Sequence, residues 1–266
     1  MGSVRLPAVA DRFYPGDAQL LRVTVTTLLG PSPGGDRGLG AVVPHAGYVY
    51  SGKVAGAVFR RLAVSDRVII LCPNHTGRGP RVSVWADGSW KIPGAELSVD
   101  EPLAARVLAE VPGARSDQRA HEREHAIEVE LPFLAALRPD VRILPMVLGG
   151  LDGAEAAAVG EGLARAIGDE RILVLASSDM SHYIPHDEAA AKDRLAIDRL
   201  LAVDPEGLYE ICELHGISMC GVLPATALLA YARVRGGARP ELVQYATSGD
   251  AFGAYDSVVG YAGVLL

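Results

Sequence analysis

Apolar positions along the chain fall into two rhythms. Short runs of branched apolar residues end abruptly in turn residues: Ala41 to Val43 before Pro44, Arg67 to Leu71 before Pro73-Asn74, Val141 to Leu148 before Gly149-Gly150, and Arg171 to Ala176 before Ser177-Ser178-Asp179. Runs of this length and composition read as buried strands. Between them, helical spacing covers Asp17 to Leu29, Gly52 to Leu62, Glu101 to Val111, Glu124 to Leu137, Ala154 to Ile167, Asp187 to Ala202 and Pro224 to Val234. Strands alternating with helices predict a layered α/β fold with a central mixed, mostly parallel sheet flanked by helices. Glu241 to Thr247 and Ser257 to Leu266, separated by Ser248-Gly249-Asp250, add two strands expected to pair antiparallel.

No charge block, low-complexity linker or fixed-period repeat interrupts the 266 residues. The densest turn segment, Gly30-Pro31-Ser32-Pro33-Gly34-Gly35, comes too early to divide two domains, so one domain over 1–266 is expected. Lys and Arg total 25 against 32 Asp and Glu, a net charge of −7. That balance lacks the basic excess favouring a nucleic-acid backbone or an anionic membrane surface. No apolar run approaches the roughly 18 residues of a membrane helix, and no hydrophobic segment follows Met1 to Pro7. Three cysteines, none in a C-x-x-C pair, fit a reducing compartment. The expectation is a soluble, cytoplasmic protein.

In open α/β sheets function gathers beyond the carboxyl ends of strands. Pro44-His45-Ala46-Gly47-Tyr48 and Pro73-Asn74-His75-Thr76-Gly77 each put a histidine just past a buried strand. Ser177-Ser178-Asp179-Met180-Ser181-His182-Tyr183 brings a third histidine and a carboxylate toward the same edge if these strands are neighbours. Imidazoles on separate rigid strands are suited to holding one transition-metal ion. The serines read as turn formers and donors around Asp179 and His182. Cys220 precedes the helix expected near Pro224, where a helix N-terminus favours thiolate; a small buried apolar residue is the equal alternative. Cys72 in a strand and Cys212 in a helical stretch read as packing.

His121-Glu122-Arg123-Glu124-His125 matches both H-E-x-x-H and H-x-x-E-H, the zinc-peptidase spellings. Its charged interior and the upstream Arg119 argue instead for a loop entering an amphipathic helix, with His125 near its start able to point into a cleft. No Walker loop, dinucleotide fingerprint or G-x-S-x-G elbow occurs.

These motifs, in order, resemble the Memo family, whose bacterial and archaeal members are called AmmeMemoRadiSam system protein B. The resemblance begins with Pro7-Ala8-Val9-Ala10-Asp11-Arg12-Phe13-Tyr14-Pro15 and runs through the His45 and His75 segments. It continues through Glu124-His125-Ala126-Ile127-Glu128-Val129-Glu130-Leu131-Pro132-Phe133, the Ser177 to Tyr183 segment, Cys220-Gly221 and Tyr261-Ala262. It implies a fold similar to the class III extradiol dioxygenases, which use non-haem Fe(II). It also implies His45, His75 and Cys220 as metal ligands, with His182 as acid-base and Asp179 and His125 in the same cleft. The cofactor implied is one transition-metal ion, iron or copper, with zinc also compatible with a softer thiolate site. The implied activity is that of a metal-dependent oxidoreductase acting on an unidentified small molecule or peptide. The alternative is a non-catalytic peptide- or protein-binding module in the same cleft. The family's name further implies a functional link to radical-SAM and AMMECR1-domain proteins.

Overall fold

The computed structural model describes residues 2–31, 35 and 38–266; Ser32, Pro33 and Gly34 of the early turn-rich run lie outside these. Its strands are β1 (Val4–Arg5), β2 (Gly40–Val43), β3 (Arg67–Pro73), β4 (Val82–Val84), β5 (Ser89–Ile92), β6 (Ala95–Ser98), β7 (Ala114–Ser116), β8 (Arg142–Leu148), β9 (Leu173–Ser177), β10 (His182–Ile184), β11 (Glu241–Thr247) and β12 (Val258–Leu265). Its α-helices are α1 (Ala18–Leu29), α2 (Tyr48–Arg61), α3 (Glu101–Glu110), α4 (Leu131–Leu137), α5 (Gly153–Ile167), α6 (His186–Leu201), α7 (Pro205–His215), α8 (Val222–Arg235) and α9 (Gly249–Phe252).

The principal sheet runs β10-β12-β2-β9-β3-β8-β4-β7, with β11 also paired to β12. Its centre, β2-β9-β3-β8, is parallel. Here Val68 to Cys72 and Leu173 to Ala176 are wholly buried, which is why these strands read as unbroken apolar runs rather than alternating ones. Toward both sides the pairing turns antiparallel, β12 against β2 and β4 against β8, so the sheet is mixed, with parallel pairing concentrated at its centre. The expected antiparallel pairing of β11 with β12 is present. A smaller sheet, β1-β5-β6, lies apart. Helix α2 packs on β2, β11 and β12, and α8 on β2, β3 and β9.

Three segments depart from the pattern of apolar spacing. Helix α2 begins at Tyr48, four residues earlier than expected, because the Tyr48 N–H donates to Phe13 O (2.8 Å) and Ser51 Oγ donates to Ala46 O (3.0 Å). The expected helix from Glu124 is instead a turn, a short 3-10 segment at Glu128–Glu130 and then α4. Its start is consumed by the Glu124 carboxylate, which accepts the N–H groups of His125 (2.9 Å) and Ala126 (3.1 Å), while Pro132 suits only a helix's first turn. The Ser248-Gly249-Asp250 turn opens the single helical turn α9.

Helices α5 and α8 touch through Gly160. A Cβ there would lie 2.0 Å from Ala227 O and 2.8 Å from Tyr231 N, both fixed backbone atoms. Gly160→Ala is therefore expected to lower stability by about 1–3 kcal/mol, outweighing the gain of about 1 kcal/mol that alanine brings to a helix interior. An unchanged or raised urea midpoint would contradict this.

Candidate metal centre

Strands β2, β9 and β3 are adjacent, so the chain segments leaving them emerge side by side. His45, Asp179 and His75 each stand two residues beyond their strand. The residue after β9 at the position of the two histidines is thus Asp179; His182 lies farther on, at the head of β10. His125 arrives from the turn before the 3-10 segment. The donor atoms of His45, His75 and His125 all lie within 4.8 Å of one another. The His75 and His125 rings stack at 4.7 Å, and His45 meets each edge-on, at 5.2 and 5.3 Å.

Each of two rings has one nitrogen occupied behind the site. His45 Nδ1 lies 3.0 Å from Ser177 Oγ, and its backbone N–H donates to Asp179 Oδ1 (2.8 Å). His75 donates to the buried Glu124 twice, from its backbone N–H and from Nδ1, both at 2.8 Å. Anchoring one nitrogen fixes the tautomer and turns the other toward the cavity, as metal-binding imidazoles require. Burial lowers the pKa of His45 to about 3, and burial with the neighbouring rings lowers His125 to about 4. Both therefore present lone pairs at neutral pH. For His75 burial opposes charge, but the hydrogen bond and charge of Glu124 outweigh it and raise the pKa. The same bond reverses the effect of burial on Glu124 and holds it at about 2. Three converging imidazoles, two of them anchored from behind by oxygen groups, fit one transition-metal ion.

Cys220 enters beside His45, with Sγ 3.3 Å from His45 Nε2 and accepting the Asp179 N–H at 3.3 Å. It does not join the donor atoms that lie within 4.8 Å of one another. Although it precedes α8 by two residues, burial and the Asp179 carboxyl push its thiol far up, so the helix end does not produce a free thiolate. Gly221 permits the approach: a Cβ there would stand 2.4 Å from Ser177 O and Ser178 Cβ. Ser178 Oγ accepts the Gly221 N–H (3.0 Å) and donates to Asp179 O (2.8 Å), whereas Ser181 is turned to Asp193 through its N–H and takes no part.

A cavity of about 550 Å³ opens over the cluster, lined by His45, His75, His125, Asp179, His182 and the aromatic rings of Phe13, Tyr50, Tyr183 and Tyr261. Burial raises Asp179 to about 6, against the His45 and Ala46 N–H groups that favour its anion. His182 donates Nδ1–H to Ser218 O (2.9 Å), an acceptor only, which leaves Nε2 as a base on the cavity. A carboxyl of raised pKa and an imidazole with one nitrogen free on the same cavity are suited to moving protons.

The sequence matches the Memo-like protein family over residues 5–265. The chain belongs to the Memo family. It is 40% identical to a MEMO1 family protein of Methanopyrus kandleri and 39% identical to one of Aquifex aeolicus, each over 98% of both chains. Its fold is also similar to that of an uncharacterized protein from Escherichia coli K12, with a TM-score of 0.51 and 17% identity over 75% of this chain and 85% of that one. No helix among the described residues is long and apolar enough to cross a membrane.

The two Memo-family segments Pro7 to Pro15 and Glu124 to Phe133 are tied together by Glu128. This fully buried carboxylate accepts from Arg5 (2.5 Å), Tyr14 Oη (2.5 Å) and the N–H groups of Ala8 (2.8 Å) and Val9 (3.0 Å). Arg5 also donates to the carbonyls of His121 (2.9 Å) and Glu124 (2.6 Å), fixing the turn that carries His125.

The zinc-peptidase spelling has a different explanation in this Memo-family chain. His121 and His125 do not share a helix. His121 is buried between Trp85 and Trp90 with Nε2 3.0 Å from Ser83 Oγ, outside the histidine cluster. Burial lowers its pKa from 6.5 to about 3. A depressed folded value means that the unfolded chain takes up a proton first, so stability is lost as pH falls below 6.5 and on toward 3. Between pH 7 and pH 5 this costs about 2 kcal/mol. His121→Leu is expected to shrink the loss of stability over that interval by this amount in paired urea titrations; an identical loss in both proteins would refute it.

Proposed function

We propose that this chain is a metal-dependent, oxidoreductase-like protein acting on a small molecule bound in the cavity. The observation that carries this reading is the convergence of His45, His75 and His125 at the carboxyl end of the parallel strands. In it the three imidazoles hold one transition ion, iron or copper first, and Cys220 stands beside His45 as a soft donor or an oxidisable thiol. A bound ion of this kind supplies Lewis acidity and one-electron chemistry.

The chain's own groups do the rest. Phe13, Tyr50 and Tyr261 line the cavity with aromatic surface against which a substrate would pack. Asp179, raised to about 6, is an anion at neutral pH that takes up and returns a proton readily beside His45, and His182 Nε2 accepts or returns one across the cavity. The dioxygenase-like ancestry and the cytoplasmic setting belong to this reading, as does a link to radical-SAM and AMMECR1-domain proteins.

Anaerobically purified protein is expected to carry about one transition-metal ion per chain with imidazole nitrogen as the main scatterer in X-ray absorption. It should also support dioxygen consumption with some member of a reducing-substrate panel. Absence of stoichiometric metal from protein produced with iron, copper and zinc all supplied would defeat the reading. Peptide binding that survives His45→Ala with His75→Ala, without any turnover by the parent, would establish the binding module instead.

A further inference from the structure

Three glutamates of the Glu124 to Phe133 segment are buried, and two are fully engaged, Glu124 by His75, His125 and Ala126 and Glu128 by Arg5, Tyr14, Ala8 and Val9. Glu130 differs. It is 1% exposed, its Oε2 has no hydrogen-bond partner, and it forms no ion pair among the described residues. Its Oε1 lies 2.8 Å from Ser177 Oγ. Ser177 Oγ in turn is 3.0 Å from His45 Nδ1 and 3.0 Å from the carbonyl of Ala126.

A serine has one hydroxyl hydrogen, and here two oxygens compete for it. If it goes to Ala126 O, Ser177 must accept from Glu130, which is then a neutral carboxylic acid. If it goes to Glu130, the glutamate is a carboxylate and the Ala126 carbonyl is released. His45 Nδ1–H donates to Ser177 in both settings. With no positive charge in the cavity the first is favoured, because an unpaired buried carboxylate is costly. The groups facing Glu130 offer no relief: Asp179 beyond the end of β9 is of like sign, and Tyr48 on α2 and Cys72 in β3 are held neutral by burial. A cation on His45 Nε2 reverses the preference, since the polarised Nδ1–H strengthens its bond to Ser177, and Ser177 in turn donates more strongly to an anion.

We propose that Glu130 is the switchable counter-charge of the centre, wired to His45 through Ser177: a neutral acid when the cavity holds no cation, a carboxylate when a divalent ion is bound. The bound ion adds two positive charges, Glu130 gives one proton to bulk solvent, and the Ser177 hydrogen turns from Ala126 O to Glu130 Oε1. Glu130 is a positioning residue, since it acts through Ser177 and touches neither cavity nor ion. The proposal rests on the reading of the histidine cluster as a metal site.

Zn(II) alone is the probe. Calorimetric titration at pH 7 in two buffers of different ionisation enthalpy counts the protons released per ion; the parent is expected to release about one more than Glu130→Gln. Infrared spectra of protein labelled with carbonyl-¹³C glutamate provide a measurement that needs no variant. The zinc-free parent should show one shifted carboxylic-acid band, and zinc should abolish it. Equal proton release by both proteins, or an acid band that is absent at the start or persists with zinc, overturns the counter-charge while leaving the metal site standing. A parent that binds no zinc but shows the acid band removes the metal reading and this proposal with it.

Discussion

Replacing His125 with alanine is expected to weaken Zn(II) binding at the centre by at least about 100-fold, whereas Cys220→Ser weakens it by no more than about tenfold. Loss of a partner behind a ligand costs 10–100-fold in affinity, so loss of a ligand should exceed that range. His125 belongs to the set of nitrogens in mutual reach, and the buried carboxylate that holds His75 also accepts its N–H. Cys220 Sγ lies beside His45, outside that set, and, being pushed toward the neutral thiol, has to lose a proton before it binds. Competition against a chelator of known affinity measures both variants. The reverse order, a large loss with Cys220→Ser and a small one with His125→Ala, would return the ligand set to His45, His75 and Cys220.

Glu128→Ala should destabilise the fold by about 3–5 kcal/mol, a large part of the 5–15 kcal/mol that separates a typical domain from its unfolded state. The substitution strands the Arg5 guanidinium, whose side chain is 2% exposed, and leaves Tyr14 Oη and the N–H groups of Ala8 and Val9 without their acceptor. Removing one member of a buried pair is costly for that reason, even where an apolar replacement of both would be tolerated. Because Arg5 also holds the carbonyls of His121 and Glu124, the variant should lose zinc affinity before it loses its helical signal in a denaturant series. Denaturation monitored by far-ultraviolet circular dichroism gives the stability; a shift below 1 kcal/mol would show that Arg5 finds other partners.

The parallel centre of the sheet was legible because β2, β3, β8 and β9 are continuous apolar runs with abrupt ends. Reading those ends located His45, His75 and Asp179. Strands β4 to β7 have only three or four residues each, too few for periodicity to register. The turn holding His125 was masked by apolar residues at helical spacing, since the pattern does not reveal that a side chain, Glu124, takes the first N–H groups. Glu124, Glu128 and Glu130 are charged residues in a segment of helical apolar spacing, where solvated positions are the ordinary expectation, yet all are buried. What buries Glu128 lies 123 residues away at Arg5, a separation at which no local pattern carries information. The H-x-x-E-H spelling pointed to Glu124, and its meaning was different: the glutamate holds His75 and the His125 N–H from behind instead of acting as the base of a zinc site.

The strength of Glu124 as an acid has a consequence for how the centre responds to acidity. His45 and His125 take up protons at about 3 and 4, and His75 above 6.5, whereas the carboxyl framing two of them stays ionised down to about 2. As a solution is acidified, His75 and then His125 become cations while the carboxylate that brackets both keeps its charge and its hold. Acid would thus expel an ion from between these two rings before it loosened the carboxylate behind them.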